Sequence, residues 1–177
     1  MIVGAVGFRL GQAMGDEALG ILEKGKGLLA KGDEQKAYKT FEKAAQTDPA
    51  LAEAHFLLAE SAMSVPKVPV EQITAAYAKA AELEPKNPQY LCAYGAYLLN
   101  IGQWSKAEEV YNAAAEADEE NPGWYYQEFG FEYYQAMQRH YEGQLSSGML
   151  KEVRKKAATY MLRAVGIGPE DLKEYFG

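Results

Sequence analysis

The chain has 177 residues, of which 48% are hydrophobic and 24% are charged, an ordinary composition for a folded protein that argues against disorder. Its net charge of -7 would repel phosphate backbones and anionic lipids, so we expect neither nucleic-acid nor membrane binding. A single cysteine excludes an internal disulfide, and with only two histidines a zinc site is disfavoured, so we expect no cofactor.

Residues 1–15 form an apolar segment in which Gly4, Gly7, Gly11 and Gly15 would share one face of a helix. A helix so rich in glycine needs a partner surface, because each glycine costs about 1 kcal/mol relative to alanine. The segment lacks the basic leader of a secretory signal. We therefore expect a cytoplasmic protein.

Caps and turn residues set the predicted helix boundaries further along the chain. Asp16 and Asp33 are predicted N-caps, and Gly32 supplies a left-handed turn between two helices. The predicted helices span about 17–31, 34–47, 50–64, 70–84, 88–101, 104–118, 122–142 and 149–165, followed by a short cap at 170–177. No segment has the pattern of a β-strand, so the predicted fold class is all-α.

The four helix pairs share a framework of small residues, one aromatic residue and one proline at fixed spacings. Two copies match at identical spacings, with glutamate replacing proline in the second of them: Gly25, Ala37, Phe41, Ala44, Pro49 and Gly95, Ala107, Tyr111, Ala114, Glu119. Another copy has two extra residues between its helices: Ala59, Ile73, Tyr77, Ala80, Pro85. The last is degraded and carries an insertion of about 15 residues between its helices: Gly130, Ala157, Met161, Ala164, Pro169. Self-similarity near 34 residues is typical of stacked helical hairpins.

This framework resembles the tetratricopeptide repeat. The resemblance implies a right-handed superhelical array of antiparallel helix pairs, with three repeats, a fourth divergent and extended pair, and a C-terminal capping helix. The repeats would span about 18–51, 52–87, 88–121 and 122–169, with the cap at 170–177. Residues 16–177 would then form one domain, preceded by the glycine-spaced segment 1–15.

The resemblance also locates a concave groove lined by the first helix of each pair. The positions that usually bind peptides carry mostly apolar residues here, as an interface would require. The candidate groove residues are Leu22, Lys26, Leu29, Phe56, Glu60, Met63, Cys92, Leu99, Trp124, Phe131 and Tyr134. Co-chaperones of this family grip chaperone tails with a clamp of lysine, asparagine and arginine. That clamp is absent, because the corresponding positions hold Leu22, Lys26, Leu57, Gln89 and Ala93.

Two segments of the fourth repeat are unusual. Eight aromatic residues lie between Trp124 and Tyr141, too many for one helical stripe. Either a helix packed on both sides buries them, or one face serves as a platform for a ligand or a second copy. Lys151, Arg154, Lys155 and Lys156 form the chain's basic cluster, which would pair with the acidic body or meet an acidic partner.

No catalytic triad, phosphate loop or metalloprotease motif occurs in the sequence, so we expect a protein that is not an enzyme. The leading hypothesis is an interaction scaffold that binds an amphipathic helix or an extended peptide in the apolar groove. One alternative is a self-assembling module, a homo-oligomer in which residues 1–15 fill their own or a neighbour's groove. Another is a tetratricopeptide chaperone for secreted substrates.

Overall fold

A computed structural model describes the backbone of residues 3–141, 144–168 and 170–171, and the side chains of those ranges from residue 12 onward. Two units, Met1–Glu84 and Pro85–Gly177, are each compact. The described residues form eight helices and no strand: α1 (Val3–Leu29), α2 (Glu34–Thr47), α3 (Ala52–Ala62), α4 (Val70–Leu83), α5 (Pro88–Asn100), α6 (Trp104–Ala117), α7 (Pro122–His140) and α8 (Ser147–Ala164). The all-α prediction is confirmed over these ranges.

Consecutive helices pair as hairpins within each unit. In the first unit α1 packs on α2 and α3 on α4, and α2 also contacts α3. In the second unit α5 packs on α6 and α7 on α8, while α7 also contacts both α5 and α6. Tight turns close two of the hairpins, with Gly32 and Gly102 in the left-handed region at φ 75° and 78°, where a side chain would be strained.

The framework residues meet where the two helices of a hairpin cross. A Cβ placed on Gly25 would lie 2.7 Å from the Cδ1 atom of Phe41, and one on Gly95 would lie 2.7 Å from the Cδ2 atom of Tyr111. Phe41 and Tyr111 are both fully buried. The small residue of the framework therefore makes room for the aromatic ring of the partner helix.

Two predicted boundaries in the first unit need revision. The predicted N-cap Asp16 is wrong, because α1 begins at Val3 and runs through Asp16 without interruption. The backbone of residues 3–15 thus continues without a break into the first helix of the first hairpin. Whether the side chains of residues 1–11 occupy a groove lies outside the described residues, as does the predicted cap over residues 172–177.

The extended fourth helix pair is confirmed. Helices α7 and α8 contain 19 and 18 residues, against 13 and 14 in α5 and α6. The framework position assigned to Met161, however, is wrong. Met161 is 36% exposed, whereas Tyr160 is 5% exposed and its Cβ would lie 3.2 Å from a Cβ on Gly130.

No helix within the described ranges combines the length and the apolar character that crossing a membrane requires.

Candidate functional site

Helix α7 presents aromatic side chains on the face opposite its buried side. Trp124 and Phe131 are 53% and 50% exposed and lie seven residues apart, so they share one face of the helix. Tyr134, half-buried, follows one turn later beside Phe131. We call these three residues the α7 strip. Sequence reasoning placed all three at groove positions, and the structure brings them together at the surface of the second unit.

The buried side of α7 holds the strip in place. The Phe129 ring lies 4.5 Å from the Tyr160 ring and 5.5 Å from each of the Tyr111 and Tyr133 rings, measured between centroids. The Tyr125 hydroxyl donates a hydrogen bond of 3.0 Å to the Asp118 carboxylate. The aromatic residues of this segment therefore divide between a core and a surface. The predicted burial of these aromatic residues on both sides of the helix is wrong for the face that carries Trp124 and Phe131, because both side chains are exposed.

Three predicted groove residues belong to the core instead of the surface. Leu22, Phe56 and Leu99 are 0%, 8% and 1% exposed. Spacing from the framework small residue does not explain this burial, because Met63 holds the same repeat position as Leu99 and is exposed. The Phe56 ring, for example, meets the Tyr77 ring edge-on at 6.3 Å. These three side chains are not available to a partner.

The first unit keeps four candidate positions that solvent reaches. Leu29 and Lys26 are half-buried, and Glu60 is exposed. Met63 is the exposed apolar side chain among them, at 54%. The Lys26 ammonium lies 2.8 Å from the carboxylates of both Glu23 and Glu53, and these hydrogen bonds raise the pKa of Lys26. Its charge is therefore already paired, which strengthens the argument against a carboxylate clamp.

Cys92, the remaining predicted residue, is half-buried on α5. Burial, and to a lesser extent the nearby Glu128 carboxylate, raises the pKa of the Cys92 thiol to about 11. The thiol therefore carries its proton at neutral pH and is a poor nucleophile or metal ligand. Within the described residues, no group of three or more histidine, cysteine, aspartate or glutamate side chains is placed to hold a metal ion.

The basic cluster on α8 pairs with the acidic body through one of its four cations and exposes the other three. Lys156 lies 2.5 Å from the Glu108 carboxylate on α6, so one of the four cations pairs with the acidic body. Lys151, Arg154 and Lys155 are exposed. Sequence reasoning missed the cleft beside these residues, because it is formed by side chains from three helices that are distant in sequence.

Comparison with protein families supports the repeat assignment. A sequence model described as the tetratricopeptide repeat matches residues 76–109. Its match begins within α4, spans α5 and ends within α6, and it includes the framework residues Tyr77, Ala80, Gly95 and Ala107. This segment, about one repeat long, is therefore similar to a tetratricopeptide repeat. A sequence comparison with curated proteins found no significant match.

Two solved structures are similar to this chain in fold. The crystal structure of MamA is 21% identical with a TM-score of 0.63, over 90% of this chain and 81% of MamA. The TPR2B domain of yeast Sti1, solved in a complex with pHsp70, is 23% identical with a TM-score of 0.57, over 72% of this chain and 98% of that domain. At these identities the likeness concerns the fold.

Proposed function

We propose that this protein is a binding module that holds an amphipathic helix or an extended peptide against the α7 strip. The observation that carries the proposal is the exposure of Trp124 and Phe131 on a helix whose opposite face is firmly packed. Exposed large aromatic side chains on a rigid helix are typical anchors of protein interfaces. The complex of the related Sti1 domain supports the same class of function.

The surroundings of the α7 strip define the chemistry of the partner. Glu128 and Glu132 lie beside the strip on the same helix, and burial followed by repulsion from Glu132 raises the pKa of Glu128. Arg139 approaches Glu132 at 3.7 Å, which offsets part of this negative charge. A partner with apolar anchors and neutral or basic flanks suits the strip better than an acidic one. In the first unit, Met63 with Lys26, Leu29 and Glu60 is the second candidate surface.

Peptide selection on the immobilised full chain tests the proposal. We expect the enriched peptides to carry apolar anchors at spacings of three, four or seven residues, or at alternate positions. The double substitution Trp124→Gln and Phe131→Gln should weaken their binding by more than about tenfold, since an aromatic anchor commonly contributes more than 1 kcal/mol. Met161→Gln is the matched control, because Met161 is an exposed apolar residue of the same unit outside the strip. Equal binding by the double variant and the wild type would refute the proposal.

Self-assembly through residues 1–15, a chaperone role for secreted substrates and a cytoplasmic location stay predictions. Because α1 is continuous from Val3, deletion of residues 1–15 would cut through a repeat helix. Light scattering of a variant with charged substitutions before residue 12 is therefore the better test of self-assembly. A monomer mass in both the variant and the wild type would reject that alternative.

A further inference from the structure

A second surface lies on the other side of α7, where α6, α7 and α8 enclose a cleft of about 560 Å³. Tyr133 and Met137 from α7, with Met149 and Val153 from α8, supply its apolar lining. We call this space the α8 cleft. Tyr133 and Met137 belong to the buried side of α7, so the cleft is separate from the α7 strip.

Hydrogen bonds tie the walls of the α8 cleft together. Glu108 on α6 accepts from the Lys156 ammonium at 2.5 Å and from the Tyr160 hydroxyl at 3.0 Å, both on α8. The Asn112 amide nitrogen on α6 also donates to the Tyr160 hydroxyl at 3.1 Å. These bonds fix the separation of the two helices. The cleft is thus already formed, and Lys156 and Glu108 neutralise each other at its edge.

One wall of the α8 cleft, helix α8, has a charge opposite to that of the whole protein. Helix α8 carries five cationic side chains against the single carboxylate Glu152, in a chain whose net charge is -7. Lys155 borders the cleft, and Lys151 lies one turn before it on the same flank of α8, whereas Arg154 lies on the opposite face of the helix. Among the described residues, neither Lys151 nor Lys155 forms an ion pair, and Glu152 is the lining carboxylate on α8 that opposes them. An acidic ligand would meet attraction here, in contrast to most of the protein surface.

We propose that the α8 cleft binds an acidic peptide segment that carries apolar anchors. The cleft follows α8 from Gly148 to Tyr160, a length of about 18 Å at 1.5 Å per residue. That length accommodates about three helical turns or about five extended residues. Apolar anchors fill the lining, and carboxylates pair with Lys151 and Lys155. The partner chemistry is therefore opposite in charge to that proposed for the α7 strip.

Two other occupants fit the α8 cleft less well. A flat bilayer does not enter a concave cleft, and the negative net charge opposes approach to anionic lipids. A second copy of this chain carries the same net negative charge, so association between copies begins with repulsion. Both are included as outcomes of the test.

The probe is a fluorescent amphipathic peptide of about 12 residues, with leucine at helical spacing and glutamate elsewhere, measured by anisotropy on the full chain. Charge reversal by Lys155→Glu should weaken binding by about tenfold, because one attraction becomes a repulsion. Met149→Glu should weaken it similarly, because a charge would enter the apolar lining. Glu152→Gln should tighten binding a few-fold, which no loss of folding could imitate.

Matched controls separate this proposal from a general charge effect and from the α7 strip. Three control variants should leave the affinity for the peptide unchanged: Lys39→Glu on α2, Met161→Glu on α8 outside the cleft lining, and Phe131→Gln on the α7 strip. A peptide with lysine in place of glutamate should not bind. Loss of binding in Phe131→Gln with retention in Lys155→Glu would overturn the proposal. Stronger binding to phosphatidylserine vesicles than to the peptide would also overturn it. So would a dimer in light scattering that Lys155→Glu dissociates.

Discussion

Two glycines of α1 provide a sharp test of why the framework needs a small residue. Gly25 is buried, and a Cβ there would lie 2.7 Å from Cδ1 of Phe41. Gly27 lies two residues later on the exposed side, and a Cβ there would have no atom within 4 Å apart from its chain neighbours and the backbone of its own helix. Alanine at either position should therefore raise the helix propensity equally. Only at Gly25 should it disturb packing.

The expected magnitudes follow from these two environments. Replacing glycine by alanine inside a helix gains about 1 kcal/mol of unfolding free energy, and Gly27→Ala should show this gain. In Gly25→Ala the same gain is opposed by overpacking, which costs about 1–3 kcal/mol when a buried side chain has to move. Phe41 is 0% exposed and has no free space to enter. The difference between the two variants should thus be about 1–3 kcal/mol.

Urea unfolding followed by circular dichroism at 222 nm measures this difference. For a chain of this size the corresponding separation of melting temperatures is about 2–4 °C per kcal/mol. Adding Phe41→Leu should relieve the clash, so its cost should be smaller in the Gly25→Ala background than in the wild type. If Gly25→Ala stabilises the protein as much as Gly27→Ala does, the packing explanation of the framework is refuted.

Three further predictions concern the second unit. Cys92 should react with iodoacetamide at least about tenfold more slowly at pH 8 than a free thiol, because burial disfavours the thiolate. The rate should rise towards pH 11. An inflection of the rate near pH 8.5 would contradict this prediction. Phe129→Ala should cost about 3–5 kcal/mol of unfolding free energy, because Phe129 is buried, whereas Phe131→Ala should cost less than about 1 kcal/mol, because Phe131 is exposed. Equal losses in urea unfolding would contradict this assignment of core and surface. Asn87→Ala should cost about 1 kcal/mol of unfolding free energy, because the Asn87 side chain accepts hydrogen bonds from two backbone amides of α5. Asn121→Ala should cost clearly less, because the Asn121 side chain makes no cap hydrogen bond. Equal shifts in melting temperature would contradict this difference.

The fold was predictable from the sequence because its main packing contact is local and repeated. The Gly25 and Phe41 pair recurs as Gly95 and Tyr111, and each pair records one helix crossing at a fixed spacing. The fourth copy was harder to align. A gap of about 15 residues allows a slip of one position, so the spacing predicts Met161 where Tyr160 makes the contact.

The candidate surface was predictable only in part. Repeat position correctly indicated that Trp124 and Phe131 share an exposed face of α7. It failed for Leu22 and Leu99, which are buried, whereas Met63 holds the same repeat position as Leu99 and is 54% exposed; repeat position alone therefore does not separate core from surface. The α8 cleft gave no signal in the sequence, because its lining depends on how three helices meet.

The central claim, that the α7 strip receives a partner, can be tested on the strip itself through the fluorescence of Trp124. The chain has two tryptophans, so Trp104→Phe leaves Trp124 as the single reporter, 53% exposed on the strip. Titration with a peptide selected on the full chain should shift its emission to shorter wavelength and protect it from acrylamide. Saturable binding of that peptide with no change in Trp124 emission or quenching would contradict the claim.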